Sequence, residues 1–251
     1  MRMTSKLGSR AYTGLLILKR DEGNLRAGIC FSHLPDSLSL AEIDEVLHPD
    51  EEAYYKTLEF EKRRRSYLIG RYAAKQAVGA FAQEKNLSKI LIQPGIFNQP
   101  VVRCGDEHNV QVSITHCDEL GAALAFPEAH PMAIDIEKIY TDKNNVLETQ
   151  MTGKEREMVS AVPFPYETML TLLWTAKESL SKILRTGLTA PFHIFEIDRI
   201  ETKEDHTVSY FENFAQYKVI SFNLGCYICS LTFPKNTNVY INIPVLRQMI
   251  D

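Results

Sequence analysis

Two short stretches of the chain carry four side chains that could hold a divalent cation and a phosphate. In residues 133–137 (AIDIE), Asp135 and Glu137 alternate with isoleucines, so a β-strand would place both carboxylates on one face. In residues 174–182 (WTAKESLSK), Glu178 and Lys182 are four residues apart, so a helix would place them side by side. Three carboxylates without a histidine or cysteine beside them favour Mg²⁺ over zinc. The alternative is that these are surface charges and an ordinary helix pair.

Other polar residues could bind phosphate groups. His116 follows an alternating run at residues 110–115, and at a strand end an imidazole can donate a hydrogen bond to a phosphate. The run 62–65 (KRRR), together with Arg71 and Lys75, places several cations on one predicted helix. A structural histidine and a solvated basic helix face are the alternatives, so neither feature decides the function alone.

The first half of the chain must fold into strands and helices that position these residues. Its patterns predict a hairpin from residues 12–18 and 26–32, and strands at 110–115 and 122–126. A short helix is expected over 39–47 and a longer helix from Pro49, with its strongest part at 63–81. Residues 127–131 (PEAHP) are typical of a linker, so we expect a boundary at 130.

The second half begins with the predicted strand at 133–137. T-x-x-E at residues 152–155 has the form of a capping box, which predicts a helix over 152–161. The main helix is predicted over 167–184, with Gly187 as its C-terminal glycine. Further strands are predicted at 192–197, 208–211, 217–222, 226–233 and 239–241.

Composition excludes several classes of function. The chain has 251 residues, 45% of them hydrophobic, which is enough for one large domain or two small ones. The formal net charge of -4 argues against nucleic-acid binding through bulk positive charge. No run approaches the roughly 20 apolar residues that span a bilayer, and no apolar run follows the first basic residues, so we expect neither a membrane span nor a secretory signal. A cytoplasmic location is therefore expected.

The five cysteines favour reduced thiols, because their number is odd and their spacing scattered. Cys226 and Cys229 form a C-x-x-C, but no second pair at zinc-ribbon spacing accompanies them. We therefore expect buried strand cysteines there.

In combination, the motifs resemble those of the Sfp-type 4'-phosphopantetheinyl transferases. The resemblance runs from about Arg63 to Pro191 and includes the basic helix and S-I-T-H-C at residues 113–117. Its most specific part is D-x-E at 135–137 followed by W-x-x-K-E-S-x-x-K at 174–182.

This resemblance implies an α+β fold of two similar halves related by pseudo-two-fold symmetry. Residues 1–129 would form the half on the coenzyme A 3'-phosphate side, and residues 130–251 the metal-binding and catalytic half. Asp135, Glu137 and Glu178 fall on the family's metal ligands. Lys182 falls on the lysine that contacts the transferring phosphate.

The resemblance also implies roles outside the metal site. His116 falls on a histidine that contacts coenzyme A phosphates, while Arg63 and Arg71 fall on basic residues that meet the 3'-phosphate. Glu155 matches a glutamate that some members place near the site, although its capping-box position offers a structural explanation too.

The implied activity is that of a holo-[acyl-carrier-protein] synthase. Such an enzyme transfers 4'-phosphopantetheine from coenzyme A to a serine of an acyl or peptidyl carrier protein, depends on Mg²⁺ and releases adenosine 3',5'-bisphosphate. Carriers of polyketide or nonribosomal peptide biosynthesis are candidate partners, and a monomer is expected. Glu178 is the first candidate for the general base and Glu155 the second. Two alternatives stay open: another metal-dependent phosphotransferase, and a non-catalytic relative that binds coenzyme A or a carrier protein.

Overall fold

The computed structural model describes residues 2–3, 10–33, 45–105, 109–142, 144–161 and 164–250. The chain divides into two compact units, Met1–Pro131 with Thr237–Asp251, and Met132–Asn236. Each unit contains an antiparallel sheet and a long helix, so the predicted α+β class is confirmed. Of the helices described, none is long and apolar enough to cross a membrane. The pseudo-two-fold relation stays a prediction.

The first unit is built on an eight-stranded sheet whose described pairings are all antiparallel. The strands follow the order β1-β2-β3-β7-β6-β5-β4, and β13 also pairs with β2. Their bounds are β1 (Arg2–Met3), β2 (Arg10–Arg20), β3 (Gly23–His33), β4 (Leu91–Pro94), β5 (Pro100–Arg103), β6 (Val110–Cys117), β7 (Leu120–Pro127) and β13 (Asn238–Val239). The helices are α1 (Pro49–Lys56), α2 (Glu61–Ala82) and α6 (Ile243–Ile250).

Two glycines allow α2 to lie directly on this sheet. A Cβ atom at Gly28 of β3 would stand 2.0 Å from the carbonyl oxygen of Ala77, and one at Gly121 of β7 would stand 2.7 Å from Ile69. Both distances are shorter than atoms can approach, so only glycine permits this packing. The buried face of α2 is correspondingly small, with Ala73 and Ala77 fully buried.

The second unit has a five-stranded antiparallel sheet in the order β8-β12-β11-β10-β9. Its strands are β8 (Ala133–Lys138), β9 (Ile197–Thr202), β10 (Thr207–Phe211), β11 (Tyr217–Leu224) and β12 (Tyr227–Pro234). Its helices are α3 (Asn144–Thr149), α4 (Gly153–Ala161) and α5 (Tyr166–Leu184). Short 3-10 turns follow α5 at Gly187–Thr189 and Phe192–Phe195.

Helix α5 forms the core of the second unit together with the sheet. Leu173, Ala176 and Leu180 recur at helical spacing and are fully buried. They join a core cluster that also contains Phe195 and Ile228. The helix predicted over 167–184 is therefore confirmed, and its buried face forms this core.

Several other predicted elements are confirmed with small shifts at their ends. The hairpin forms as β2 and β3, the helix at 63–81 lies within α2, and the helix at 152–161 forms as α4. The strand at 133–137 forms as β8, and the runs at 110–115 and 122–126 form β6 and β7. The helix predicted over 39–47 lies largely outside the described residues.

The continuous helix predicted from Pro49 is wrong, because the chain turns between α1 and α2. The backbone N–H groups of Thr57 and Leu58 donate to the carbonyls of Tyr54 and Tyr55, respectively, which closes α1. Leu58 is buried, and its carbonyl accepts a hydrogen bond from Arg64 Nε at 2.6 Å. Burying one apolar residue and satisfying its carbonyl favours the break over a longer helix.

The strand predicted at 192–197 is mostly wrong as well. Phe192–Phe195 is a 3-10 turn, and β9 begins only at Ile197. Phe192 and Phe195 are three residues apart and both are buried, which matches the period of a 3-10 helix. Phe192 also stacks on Trp174 of α5 with ring centroids 4.7 Å apart.

The end of α5 and the C-x-x-C differ from prediction in detail. Arg185, rather than Gly187, adopts the left-handed conformation that ends α5, with a φ of 56°. Cys229 is buried in β12 as expected, whereas Cys226 is exposed in the turn that precedes the strand.

The C-terminal segment also differs from the expected division of the chain. The units divide between Pro131 and Met132, and residues 237–251 group with the first unit rather than with the second half. The predicted strand at 239–241 shortens to β13, and the unpredicted α6 follows it. Ile243, Leu246 and Met249 are buried at helical spacing, which explains why this segment ends as a helix.

Candidate active site

Strand β8 places Asp135 inside the second unit. Ile134 and Ile136 are fully buried, while Asp135 is only 4% exposed and Glu137 is half-buried. Alternation along the strand puts the two carboxylates on the face opposite the isoleucines, as predicted. A carboxylate as buried as that of Asp135 needs charged or hydrogen-bonding partners.

Helix α5 supplies one of these partners. Lys182 Nζ donates to Asp135 Oδ1 at 2.8 Å and to the carbonyl oxygen of Ile134 at 2.9 Å. The lysine side chain is 28% exposed, so its ammonium is held near the surface of the unit and remains within reach of solvent. The predicted helix residue and the predicted strand residue therefore meet.

The carboxyl group of Glu178 interacts electrostatically with the Asp135 carboxylate. The pKa of Glu178 is raised to about 7, mainly by burial and further by the Asp135 carboxylate. Lys182 and a hydrogen bond from Ser181 oppose the shift. At neutral pH, Glu178 is thus divided between its acid and its carboxylate form, which suits a group that accepts or donates a proton.

Among the described residues, no three or more histidine, cysteine, aspartate or glutamate side chains are grouped so that they could hold a metal ion. Asp135 and Glu178 nevertheless fit Mg²⁺, because this ion takes one or two carboxylates and completes its shell with waters and substrate phosphates. The mutual repulsion of the two carboxylates is also the kind that a cation relieves. The metal roles of Asp135, Glu137 and Glu178 stay predictions.

Glu155 occupies a different place from the other predicted site residues. It is fully buried and closes the capping box of α4, accepting the Thr152 backbone N–H at 2.9 Å. It also pairs with the buried Lys177 at 2.6 Å and accepts the backbone N–H of Ile197 at 2.9 Å. These contacts give Glu155 a structural role, and a catalytic role for it stays a prediction.

Lys177 was not singled out by its sequence position, although a signal was present. It stands on the apolar stripe of α5, one residue after Ala176 and three before Leu180, and is itself fully buried. A lysine on such a stripe requires a buried carboxylate as its partner. Burial lowers the pKa of Lys177, and the Glu155 carboxylate opposes this decrease only in part.

The predicted coenzyme A residues all lie in the first unit. Arg63 is exposed in the first turn of α2, and His116 is exposed near the end of β6. Arg71 is largely buried: its Nε lies 3.3 Å from Glu51 Oε1, and its guanidinium covers the ring of Tyr67 at 4.7 Å. Arg63 and His116 are thus exposed to solvent, and the guanidinium of Arg71 is paired with a carboxylate.

The buried pair predicts a large loss of stability when one partner is removed. Lys177→Met leaves the Glu155 carboxylate buried without its cation, so we expect the free energy of unfolding to fall by about 3–5 kcal/mol in a denaturant titration. Lys154→Met is the control, because Lys154 pairs with Asp198 and Glu212 on the surface, and it should change little. Equal losses in the two variants would contradict the structural role.

The raised pKa of Glu178 predicts how stability depends on pH. Its pKa is about 7 in the folded protein against an ordinary value of 4.5, so its contribution to stability is complete below 4.5 and is lost as the pH rises through about 7. With a chelator present, wild type should lose on the order of 1–2 kcal/mol relative to Glu178→Gln between pH 4.5 and about pH 8. Parallel stability curves for the two proteins would show that Glu178 does not lie in this environment.

Comparison with known proteins agrees with this geometry. The family model described as the 4'-phosphopantetheinyl transferase superfamily matches residues 131–231, which include β8, α5 and the residues Asp135, Glu178 and Lys182. No curated protein matches the chain. The match confirms the resemblance carried by the motifs at the level of the superfamily, over residues 131–231 of the chain.

Proposed function

We propose that this protein transfers 4'-phosphopantetheine from coenzyme A to a serine of an apo carrier protein, with Mg²⁺ bound, and releases adenosine 3',5'-bisphosphate. The family match supports phosphopantetheinyl transfer in general. The observation that carries the more specific proposal is the contact of Lys182 with Asp135 beside Glu178, because it joins an ammonium and two carboxylates in one half-buried site.

The reaction requires negative charge to be neutralised. The serine Oγ forms a bond to the β-phosphorus of coenzyme A, the bond from that phosphorus to the bridging oxygen breaks, and the nucleotide leaves with the electron pair. The Lys182 ammonium can bind a non-bridging or leaving oxygen. A bound Mg²⁺, held by Asp135 and Glu178 with Glu137 as the third predicted ligand, would supply further charge neutralisation.

The serine proton must go to a base. Glu178 is the better candidate, because a carboxyl with a pKa of about 7 is partly ionised near neutral pH and binds a proton well enough to remove it. Glu155 is a poorer candidate, since its carboxylate is fully buried and already accepts hydrogen bonds from three donors.

Coenzyme A recognition would fall to the first unit. The imidazole of His116 and the guanidinium of Arg63 are exposed and can donate to phosphate oxygens. Arg71 would have to share its guanidinium between Glu51 and the 3'-phosphate, so we rank it below Arg63 as a phosphate ligand.

Intact-mass spectrometry of apo carrier proteins tests the proposal. Fatty-acid, polyketide and peptide carriers are incubated with the protein, coenzyme A and Mg²⁺, and a gain of roughly 340 Da is expected on at least one of them. Asp135→Asn should slow the gain by about a hundredfold or more, because it removes a charge that faces Lys182.

Asp198→Asn is the matched control for the loss of a carboxylate. Asp198 is a surface residue of the same unit and pairs with Lys154, so the variant should keep the wild-type rate. No mass gain on any carrier would contradict the proposal, and binding of coenzyme A without transfer would point to a non-catalytic relative.

A further inference from the structure

Helix α5 meets strand β12 through buried hydroxyl groups as well as apolar side chains. Thr175 and Ser179 on the helix and Ser230 and Thr232 on the strand are all fully buried. The hydroxyl oxygens of Thr175 and Ser230 are 2.7 Å apart, and those of Ser179 and Thr232 are 2.5 Å apart. Two direct hydroxyl contacts therefore join the helix to the strand.

The direction of these hydrogen bonds follows from their neighbours. Thr175 Oγ1 lies 3.0 Å from the carbonyl oxygen of Leu172, and Ser179 Oγ lies 2.8 Å from that of Ala176. A carbonyl can only accept, so each helix hydroxyl gives its single proton to its own helix and accepts from the strand hydroxyl. The strand hydroxyl is therefore the donor in each contact, and the helix hydroxyl is its acceptor.

The spacing of the two contacts matches on both elements. Thr175 and Ser179 are four residues apart, which is about 6 Å along a helix. Ser230 and Thr232 are two residues apart, which is about 6.6 Å along a strand. A shift of the helix along the strand would break both contacts together. The buried hydroxyl of Thr232 would lose its contact with the helix, and that of Ser230 would keep only its contact with Ser221 at 2.8 Å, which is costly. The contacts therefore fix the register of α5 on β12.

This register determines the geometry of the candidate active site. Ser230 stands directly opposite Asp135 in the sheet. Lys182 is three residues beyond Ser179 on α5, and its ammonium reaches Asp135 Oδ1 and the carbonyl of Ile134. The strand that packs against α5 is thus also the strand that pairs with β8, which carries Asp135.

We propose that Thr175 and Ser179 are positioning residues. Their hydroxyl contacts with β12 hold Lys182 in contact with Asp135 and hold Glu178 next to the same carboxylate. The effect on catalysis rests on the proposed function, whereas the effect on the position of Lys182 belongs to the second unit itself.

Three substitutions separate the hydroxyl contact from packing. Thr175→Val keeps the shape of the side chain and removes the hydroxyl, while Thr175→Ser keeps the hydroxyl and removes the methyl group. Thr171→Val is the matched control: Thr171 is 1% exposed on the same helix, and its hydroxyl donates to the carbonyl of Glu167 one turn earlier.

The direct readout is the rate at which an amine-acylating reagent labels Lys182, followed by peptide mass spectrometry. Lys177 gives an internal measure of global unfolding, because it is fully buried on the same helix. In Thr175→Val the labelling of Lys182 should rise about fivefold relative to that of Lys177, through local loosening of α5. Thr175→Ser and Thr171→Val should label as wild type does.

The second readout is the rate of transfer to a carrier protein. Thr175→Val should lower kcat about tenfold with little change in KM for coenzyme A, because a small displacement of a catalytic group is costly. Thr175→Ser should restore the rate.

The two readouts distinguish the possible failures. The positioning role is overturned if, in Thr175→Val, the labelling of Lys182 rises only in proportion to that of Lys177. It is also overturned if the labelling of Lys182 rises equally in Thr171→Val. If wild type modifies no carrier protein while the labelling follows the expected pattern, the transfer proposal fails and the positioning role is supported.

Discussion

The buried ion pair between Glu155 and Lys177 is the interaction on which the second unit depends. Its carboxylate joins three parts of the chain: the start of α4 through Thr152, the start of β9 through Ile197 and the middle of α5 through Lys177. Burying two charges is expensive, and the cost is offset only when hydrogen bonds satisfy both ions. The next residue along α5 is Glu178, the proposed base, so the same pair anchors the turn of the helix that carries Glu178.

The first unit contains the same arrangement, a buried glutamate that caps a helix and pairs with a buried lysine. Glu51 closes the capping box of α1, pairs with the fully buried Lys75 of α2 at 2.5 Å and accepts the backbone N–H of Ile92 at 3.1 Å. In both units the lysine also donates to the carbonyl five residues before its glutamate, Val46 for Lys75 and Gln150 for Lys177. No sequence repeat reveals this recurrence. It supports two similar halves, of which the second also carries the carboxylates and the lysine of the site.

Sequence patterns predicted the long elements that bury a regular stripe but not the short α6, and they failed where tertiary contacts decide. Helix α5 and strand β8 follow from periodicity, and the D-x-E and W-x-x-K-E-S-x-x-K motifs contain Asp135, Glu178 and Lys182, of which the structure brings Asp135 and Lys182 into contact. The break after Lys56 and the 3-10 turn after Pro191 depend on which single residues become buried. The partners of Glu155 and Arg71 could not be predicted, because both pairs join residues more than 15 positions apart.

We propose that the side chains of Asp135 and Lys182 act together, through their direct contact, in phosphopantetheinyl transfer. A double-mutant cycle on the transfer rate tests it most directly, using Asp135→Asn, Lys182→Met and the double variant under saturating coenzyme A and Mg²⁺. If the two residues act together, the double variant should be about as slow as the slower single variant. Losses that multiply would show that the two side chains act independently and would contradict the account.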